Sequence, residues 1–486
     1  MSEAASVQPP SPAGDGLREI VDARCALHPD MSGIHPLNDG LDAFAARYLL
    51  MGMAQHTIDV QYYIWHNDMS GRLLFSALLD AAERGVKVRL LLDDNNTPGL
   101  DDTLAELDRH PNIAVRLFNP FSFRTLRALG YLTDFARLNR RMHNKSLTVD
   151  GAATLVGGRN IGDEYFGTGN EPLFTDLDVL AIGPVVQQVA HDFERYWQSK
   201  AVSPLRSVVD VSGDAHQAVR LPAEWQQSEA VQRYLARLEH SSFVSQMEQG
   251  SMQMTWAESR LLSDDPRKGL GKAKRSSLLP QRMLEVIGTP QQQFDIISAY
   301  FVPTRAGVAQ LVALKRRGVK IAVLTNSLAA NDVSVVHAGY ARWRKKLLRH
   351  GIALYEMKPQ DNGREAPHDR GLTGNSGSSL HAKTFTVDNR KVFIGSFNFD
   401  PRSAVLNTEM GLVIESETLA QQTHQRFIAG MRDRAWTLRL DNWGRVNWVE
   451  YAGESGEIVH KHEPQCTVLQ RLLVRLVWRL PVEWLL

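Results

Sequence analysis

Two stretches of the chain carry the same reactive side chains at the same spacing. Residues 143–160 read HNKSLTVDGAATLVGGRN and residues 381–398 read HAKTFTVDNRKVFIGSFN. Both have the form H-x-K-x4-D-x6-G-[GS]-x-N, at a constant offset of 238 residues. Core packing repeats apolar positions; it has no use for a repeated His, Lys and Asn. Such a set suits a phosphodiester. Lys145 and Lys383 each offer a cation to a nonbridging oxygen, and the amides of Asn160 and Asn398 add donors. Ser396 offers a hydroxyl on the second side only, because the first motif has Gly158 there. Two copies brought together clamp one phosphate and stabilise a pentacoordinate transition state with fixed donors.

The histidines then divide two tasks. One attacks phosphorus and forms a phospho-histidine; the other protonates the leaving alkoxide and later deprotonates the acceptor. The nucleophile must be neutral, with its second ring nitrogen held by an acceptor. A carboxylate follows each motif, Asp176 in TDLDVLAIG and Glu409 in TEMGLVIES, and these two are expected to orient the histidines. Asp150 and Asp388 complete the motif's set of catalytic candidates, but they fall at turns, where structural hydrogen bonding is expected of them. No HExxH, CxxC or acidic metal-binding cluster occurs at useful spacing, so no metal and no cofactor is expected.

The elements that must position these residues are also duplicated. Residues 57–92 and 294–324 each run from an aromatic-rich apolar stretch through a helix-period segment to Arg-Gly-Val-Lys and a second apolar stretch. Gly85 and Gly318 fall where a helix ends. That order is a βαβ unit with a parallel strand pair. In each motif, Ser-Leu-Thr-Val or Thr-Phe-Thr-Val alternates like a strand, then turns into a second apolar run, so each motif is placed on a hairpin. The fold class is α/β: two pseudo-symmetric lobes, each a mixed β-sheet flanked by helices, with one site at their interface. The expected divisions are a flexible leader (1–30), a first lobe (31–205), a connecting region (206–285), a second lobe (286–430) and a tail with an amphipathic helix (431–486).

The paired motif resembles the signature of the phospholipase D superfamily. The segments VQYYIWHNDMSGRLL, GGRNIGDEYF, TDLDVLAIGP, GSFNFDPRS and the final LPVEWLL are similar to bacterial cardiolipin synthases of the C type, over roughly residues 30–486. The resemblance implies two phospholipase D-like lobes, a metal-free phosphatidyl-histidine intermediate, His143 as nucleophile and His381 as acid/base. It implies transfer of a phosphatidyl group onto the headgroup hydroxyl of phosphatidylglycerol, with phosphatidylethanolamine a further candidate substrate. Attack by water on the same intermediate is the alternative, giving phosphatidic acid. A nuclease or other phosphodiesterase of the superfamily is a third reading.

Composition bears on the choice. The chain has 486 residues with 55 basic and 54 acidic side chains, a net charge of +1. No overall field marks a nucleic-acid binder. Two cysteines, Cys25 and Cys466, make no disulfide framework. No stretch approaches 20 uncharged apolar residues, so no transmembrane helix is expected. The N-terminus has neither the basic nor the apolar region of a signal peptide. The ending VLQRLLVRLVWRLPVEWLL places Arg471, Arg475 and Arg479 on one stripe among leucines. This is either a helix lying in a membrane interface or a helix packed on the lobe. Residues 118–142 mix Phe121, Phe123, Tyr131 and Phe135 with Arg124, Arg127, Arg137, Arg140 and Arg141. They could grip a bilayer, stack on single-stranded nucleic acid, or form a partly buried helical hairpin. Arg267, Lys268, Lys272, Lys274 and Arg275 are expected on a surface loop. Residues 371–379, GLTGNSGSS, form a lip of the site or merely a loop. The expected location is peripheral, at the bacterial inner membrane; an accessory protein remains an open partner.

Overall fold

The structure, a computed structural model, describes residues 16–122, 124, 127–167, 175–210, 219–331, 334–359, 380–453 and 456–477. The first sheet is built from β1 (Ser32–Leu37), β2 (Thr57–Tyr62), β3 (Lys87–Asp93), β4 (Ile113–Phe118), β5 (Ser146–Val149), β6 (Ala153–Gly157), β7 (Asp178–Ile182) and β8 (Val202–Pro204). Its spatial order is 8-4-3-2-5-6-7-1, with β2, β3 and β4 parallel and the other pairs antiparallel. The strand β9 (Thr255–Ser263) follows. The second sheet contains β10 (Gln293–Ser298), β11 (Lys320–Asn326), β12 (Ala353–Met357), β13 (Lys383–Val387), β14 (Lys391–Gly395), β15 (Met410–Glu415), β16 (Ala435–Leu440), β17 (Val446–Tyr451) and β18 (Glu457–His460). Its order is 18-17-16-12-11-10-13-14-15, so the two sheets repeat one topology.

The duplicated βαβ units fold as the sequence predicts. The helix Met69–Glu83 starts at Asp68, whose carboxylate accepts from the Gly71 amide, and the chain leaves it through Gly85 at φ +97°. Its counterpart Thr304–Arg316 is followed by Gly318 at φ +92°. A side chain at either glycine would be strained, because L-residues rarely adopt that backbone region. The hairpins β5–β6 and β13–β14 turn at Asp150-Gly151 and Asp388-Asn389, all four at positive φ.

One strand joins the sheets. β9 pairs through Thr255–Ala257 with β1 and through Glu258–Ser263 with β15. The expected connecting region 206–285 therefore supplies sheet, and its helix Glu229–Glu239 packs Val231, Tyr234 and Leu238 into the first core. From the expected leader, helix Leu17–Cys25 buries Leu17 and Val21 in the same core. Within the expected tail, β16, β17 and β18 extend the second sheet. A third core lies between the lobes: Val156, Val179 and Ala181 meet Val392, Ile394, Leu412 and Ile414. Each such buried Val, Leu or Ile contributes about 1.5–3 kcal/mol, and together they hold the two motifs face to face. Among the described residues, no helix is long and apolar enough to cross a membrane.

Candidate active site

The motifs begin just before their strands, where each segment touches the other lobe before entering its own sheet. Met142 forms a parallel bridge with Thr408, and Thr175 with Leu380. The His143 amide donates to the Thr408 carbonyl (2.9 Å), and the His381 amide to the Thr175 carbonyl (2.8 Å). The residue after each threonine is a carboxylate, so the orienting pairs are crossed between lobes. Glu409 Oε2 lies 2.8 Å from His143 Nδ1, and Asp176 Oδ2 lies 2.6 Å from His381 Nδ1. A carboxylate on Nδ1 assigns the proton to that nitrogen and the lone pair to Nε2. Neither the crossing nor the position of the motif ahead of its strand was legible in the sequence. A hairpin pattern shows which residues alternate, not where a strand hands over to another lobe.

The remaining groups surround the two rings. Lys145 Nζ donates to the His143 carbonyl at 2.7 Å; Lys383 Nζ donates to the His381 carbonyl and lies 3.1 Å from His381 Nδ1. Tyr63 stands edge-on to His143, ring centres 5.0 Å apart, and Tyr165 edge-on to His381 at 5.1 Å. Asn160 Nδ2 donates to the Tyr165 hydroxyl (3.0 Å), while Asn398 Oδ1 is buried with no hydrogen-bond partner among the described residues. The two tyrosines sit in no repeated spacing, which is why sequence reasoning missed them.

The Ser396/Gly158 asymmetry has a steric cause. The Ser396 hydroxyl donates to Glu409 Oε2 (2.5 Å) and accepts from the Met410 amide (3.0 Å). It supports the carboxylate that orients His143. On the other side Asp176, one methylene shorter than Glu409, fills the corresponding space. A Cβ at Gly158 would lie 2.2 Å from Asp176 Oδ1.

Burial and the lysines set the protonation. Burial, then Lys145 and Lys383, hold His143 well below the usual imidazole range. Burial, then Lys383, takes His381 to about 4 against the upward pull of Asp176. Burial pushes Glu409 up to about 7, opposed by Lys145 and the Ser396 hydroxyl. Burial also acts on Asp176, but His381, Lys383 and Arg159 outweigh it and keep that carboxyl well below its usual range. Lys145 is depressed by burial. The centre is thus poor in protons when empty, and a bound phosphodiester anion favours the charged lysines and a protonated imidazole.

Buried ion pairs sit beneath each carboxylate. Asp178 holds Arg47 at 2.8 Å and Arg159 at 3.4 Å, and Arg159 in turn donates to the Asp176 carbonyl at 2.9 Å. Under Glu409, its amide donates to Asp264 (3.0 Å), which holds Lys268 at 2.8 Å; Lys268 also donates to the Ser403 carbonyl. Lys268 is 1 % exposed, so its expected place on a surface loop is corrected. Its composition matched its exposed neighbours, and only the long-range partner distinguishes it. The basic-aromatic stretch is also largely paired inward. Arg141 is buried against Asp93, Arg124 pairs with Asp94 and Asp101, and the Tyr131 hydroxyl donates to Asn95.

Asp150 and Asp388 are not at the centre. Asp150 accepts from the amides of Gln55, His56 and Thr57, and Asp388 from those of Gln291, Gln292 and Gln293. Each pins the start of a parallel strand at the far end of the motif's own strand, the structural hydrogen bonding expected of them. Phe123 and residues 371–379 lie outside the described residues. His66, Asp68 and Glu164 each place one ligand atom within 4.8 Å of the others, but Asp68 already serves the Gly71 and Asp163 amides.

Known proteins are similar to this chain in sequence and fold. A family model described as "Cardiolipin synthase, PLD-like domain" matches residues 49–197 and again 283–431. Cardiolipin synthase C of Escherichia coli (strain K12) is 66% identical over 463 residues, covering 95% of this chain and 98% of that protein. Cardiolipin synthase A of Pseudomonas syringae pv. syringae is 26% identical over 397 residues, covering 81% of this chain and 67% of that one. The crystal structure of phosphatidylserine synthase from Haemophilus influenzae Rd KW20 superposes with a TM-score of 0.59 at 15% identity, covering 96% and 100% of the two chains, and shows the shared fold. With both halves matched and the pair of half-sites closed on one another, the chain belongs to the cardiolipin synthase family of phospholipase D-like proteins.

Proposed function

We propose that the chain is a phosphatidyltransferase that makes cardiolipin, with His143 as nucleophile and His381 as acid and base. The carrying observation is the crossed pairing of each histidine with the other lobe's carboxylate, which makes one centre from two half-sites. Nε2 of neutral His143 attacks the phosphorus of a donor phospholipid. The bond from phosphorus to the headgroup oxygen breaks, and His381 gives that oxygen its proton. His381 then takes the proton of a phosphatidylglycerol headgroup hydroxyl, whose oxygen attacks phosphorus and restores free His143. Lys145 and Lys383, with the amides of Asn160 and Asn398, hold the nonbridging oxygens, and they need no reorganisation as charge develops. The unequal carboxylates support the division of roles. Asp176 stays ionised and favours an imidazolium at His381; Glu409, raised to about 7, favours it less at His143.

Phosphatidylglycerol is the acceptor in this reading, and either it or phosphatidylethanolamine is the donor. The enzyme works as a peripheral protein at the bacterial inner membrane. Its helix Val468–Val477 supports this placement. Val474 packs against Leu328 and Ala338, while Leu469, Leu472, Leu473 and Leu476 are exposed beside Arg475. The helix thus has a packed side and an unpaired apolar side, the pattern of an interfacial anchor. Arg479 lies outside the described residues. The test is incubation of purified protein with labelled phosphatidylglycerol, with and without phosphatidylethanolamine. Labelled cardiolipin is expected. Phosphatidic acid alone would make the chain a hydrolase, and no turnover with either lipid would overturn the proposal.

A further inference from the structure

The two lobes repeat one topology but do not fill it equally. In the first lobe, Lys145, Leu147 and Val149 alternate onto one face of the sheet. That face is sealed by helices Gly40–Met53 and Met69–Glu83, whose Leu50, Leu74 and Leu78 are fully buried with Leu147 and Val149 in one core. In the second lobe, Lys383, Phe385 and Val387 alternate in the same way, and Phe294 of β10 stands opposite Val387. Here the helix corresponding to Gly40–Met53 is Leu279–Ile287, nine residues against 14. It leaves a cavity of about 610 Å³ between itself, helix Thr304–Arg316 and the sheet.

The cavity is largely apolar and lies along the strand that begins at Lys383, with none of the motif's His, Lys or Asn residues in its lining. Its floor is Phe294, Phe385 and Val387, and its inner end is Phe397 and Phe399, the two neighbours of Asn398. Phe399 packs edge-on to Phe385 at 5.7 Å and to Phe397 at 5.8 Å. At about 3.3 Å per residue, Phe385 and Val387 lie roughly 7 and 13 Å along the strand from Lys383. The mouth carries Leu284 and Val405, 56% and 54% exposed. At roughly 30 Å³ for each water-sized group, the space takes on the order of twenty such groups, the size of one fatty-acyl chain.

We infer that this cavity is an acyl-chain site, holding one chain of the phospholipid whose phosphate lies between Lys145 and Lys383. The inference rests on the proposed phospholipid substrate and adds where the chain goes. A polar or short-chained phosphodiester leaves the pit empty. A long-chained one places apolar surface against the Phe385–Phe399 cluster and gains by removing both from water. The site thereby adds a preference for long-chain lipid that the phosphate clamp by itself lacks, and it makes the two half-sites unequal in what they bind.

Gly307 allows a clean test. It lines the cavity from helix Thr304–Arg316, and a Cβ there meets only Pro303 Cβ, at an ordinary 3.6 Å. Gly307→Phe fills the space with a residue of higher helix propensity than glycine; Leu284→Glu places a charge at the mouth. Each variant and the wild type are assayed in mixed micelles on dioleoyl- and dihexanoyl-phosphatidylglycerol. The expected result is a fall of at least tenfold in the long-to-short ratio of kcat/KM for both variants. An unchanged ratio, whether both activities are retained or both fall together, would overturn the site. Turnover of the short-chain lipid reads the proposed function separately. A second arm uses phosphatidylglycerol with a photoactivatable acyl chain, and the free fatty acid bearing the same chain. Labelling of residues 279–287 and 304–316 by the lipid, and not by the acid, is expected. Labelling by the acid alone, or by the lipid only elsewhere, contradicts the inference.

Discussion

Replacing Gly158 by alanine should disable the enzyme by a single methyl group without touching either histidine. The added Cβ would fall 2.2 Å from Asp176 Oδ1 and 2.8 Å from its carboxyl carbon. Ordinary contact begins near 3.4 Å, so the carboxylate must withdraw by about 1 Å or more. Asp176 is held from behind by its own backbone, whose carbonyl is fixed by Arg159, so it withdraws from His381. The hydrogen bond it loses is a short charge-assisted one at 2.6 Å, worth about 1.5–3 kcal/mol. His381 is then left without its anion, and burial and Lys383 already depress it to about 4. Misplacement of this order at a reacting group lowers rate about a hundredfold. The assay is kcat for cardiolipin formation in Gly158→Ala, alongside Asp176→Asn, with circular dichroism and thermal melting as a check on folding. The two variants should lose comparable activity, and combining them should lose little more. A folded Gly158→Ala enzyme with kcat within threefold of wild type would refute the steric argument and the role given to Asp176.

Other changes separate catalytic from structural roles. Ser396→Ala removes a donor that holds Glu409 down, so Glu409, already at about 7, titrates higher. Ionised Glu409 is needed to keep the His143 proton on Nδ1, so activity is lost as pH falls, and the acidic limb of kcat/KM should move to higher pH; a limb that stays put contradicts this. Lys268→Met leaves Asp264 buried without its cation and should destabilise by about 3–5 kcal/mol, measured by chemical denaturation; a loss under 1 kcal/mol is the contrary result. Asp150→Asn weakens three backbone anchors far from the centre; stability should fall by about 1–3 kcal/mol while kcat of the folded fraction is unchanged.

The duplicated motif made the fold class and the paired His, Lys and Asn legible, because period, turn chemistry and repeated polar residues are all local signals. The carboxylates Asp176 and Glu409 were legible as types. Their crossing was not, since it depends on the Thr175 and Thr408 bridges between lobes. Asp150 and Asp388 show the converse: they belong to the repeated pattern, yet they repeat because each half needs a strand start pinned. Lys268, Arg47 and Arg159 hid among ordinary surface-type residues; a buried cation is recognised only by the carboxylate it meets. β9 was read as connector because its alternation is interrupted where it passes from one sheet to the next.

The central claim is that a phosphorus atom passes through a covalent bond to one histidine. Purified enzyme mixed with phosphatidylglycerol labelled in its phosphate, quenched in base within milliseconds and digested, should yield one labelled peptide carrying phosphatidyl-His143, absent from His143→Ala. Label on His381, or turnover with no labelled histidine at any quench time, would contradict the account.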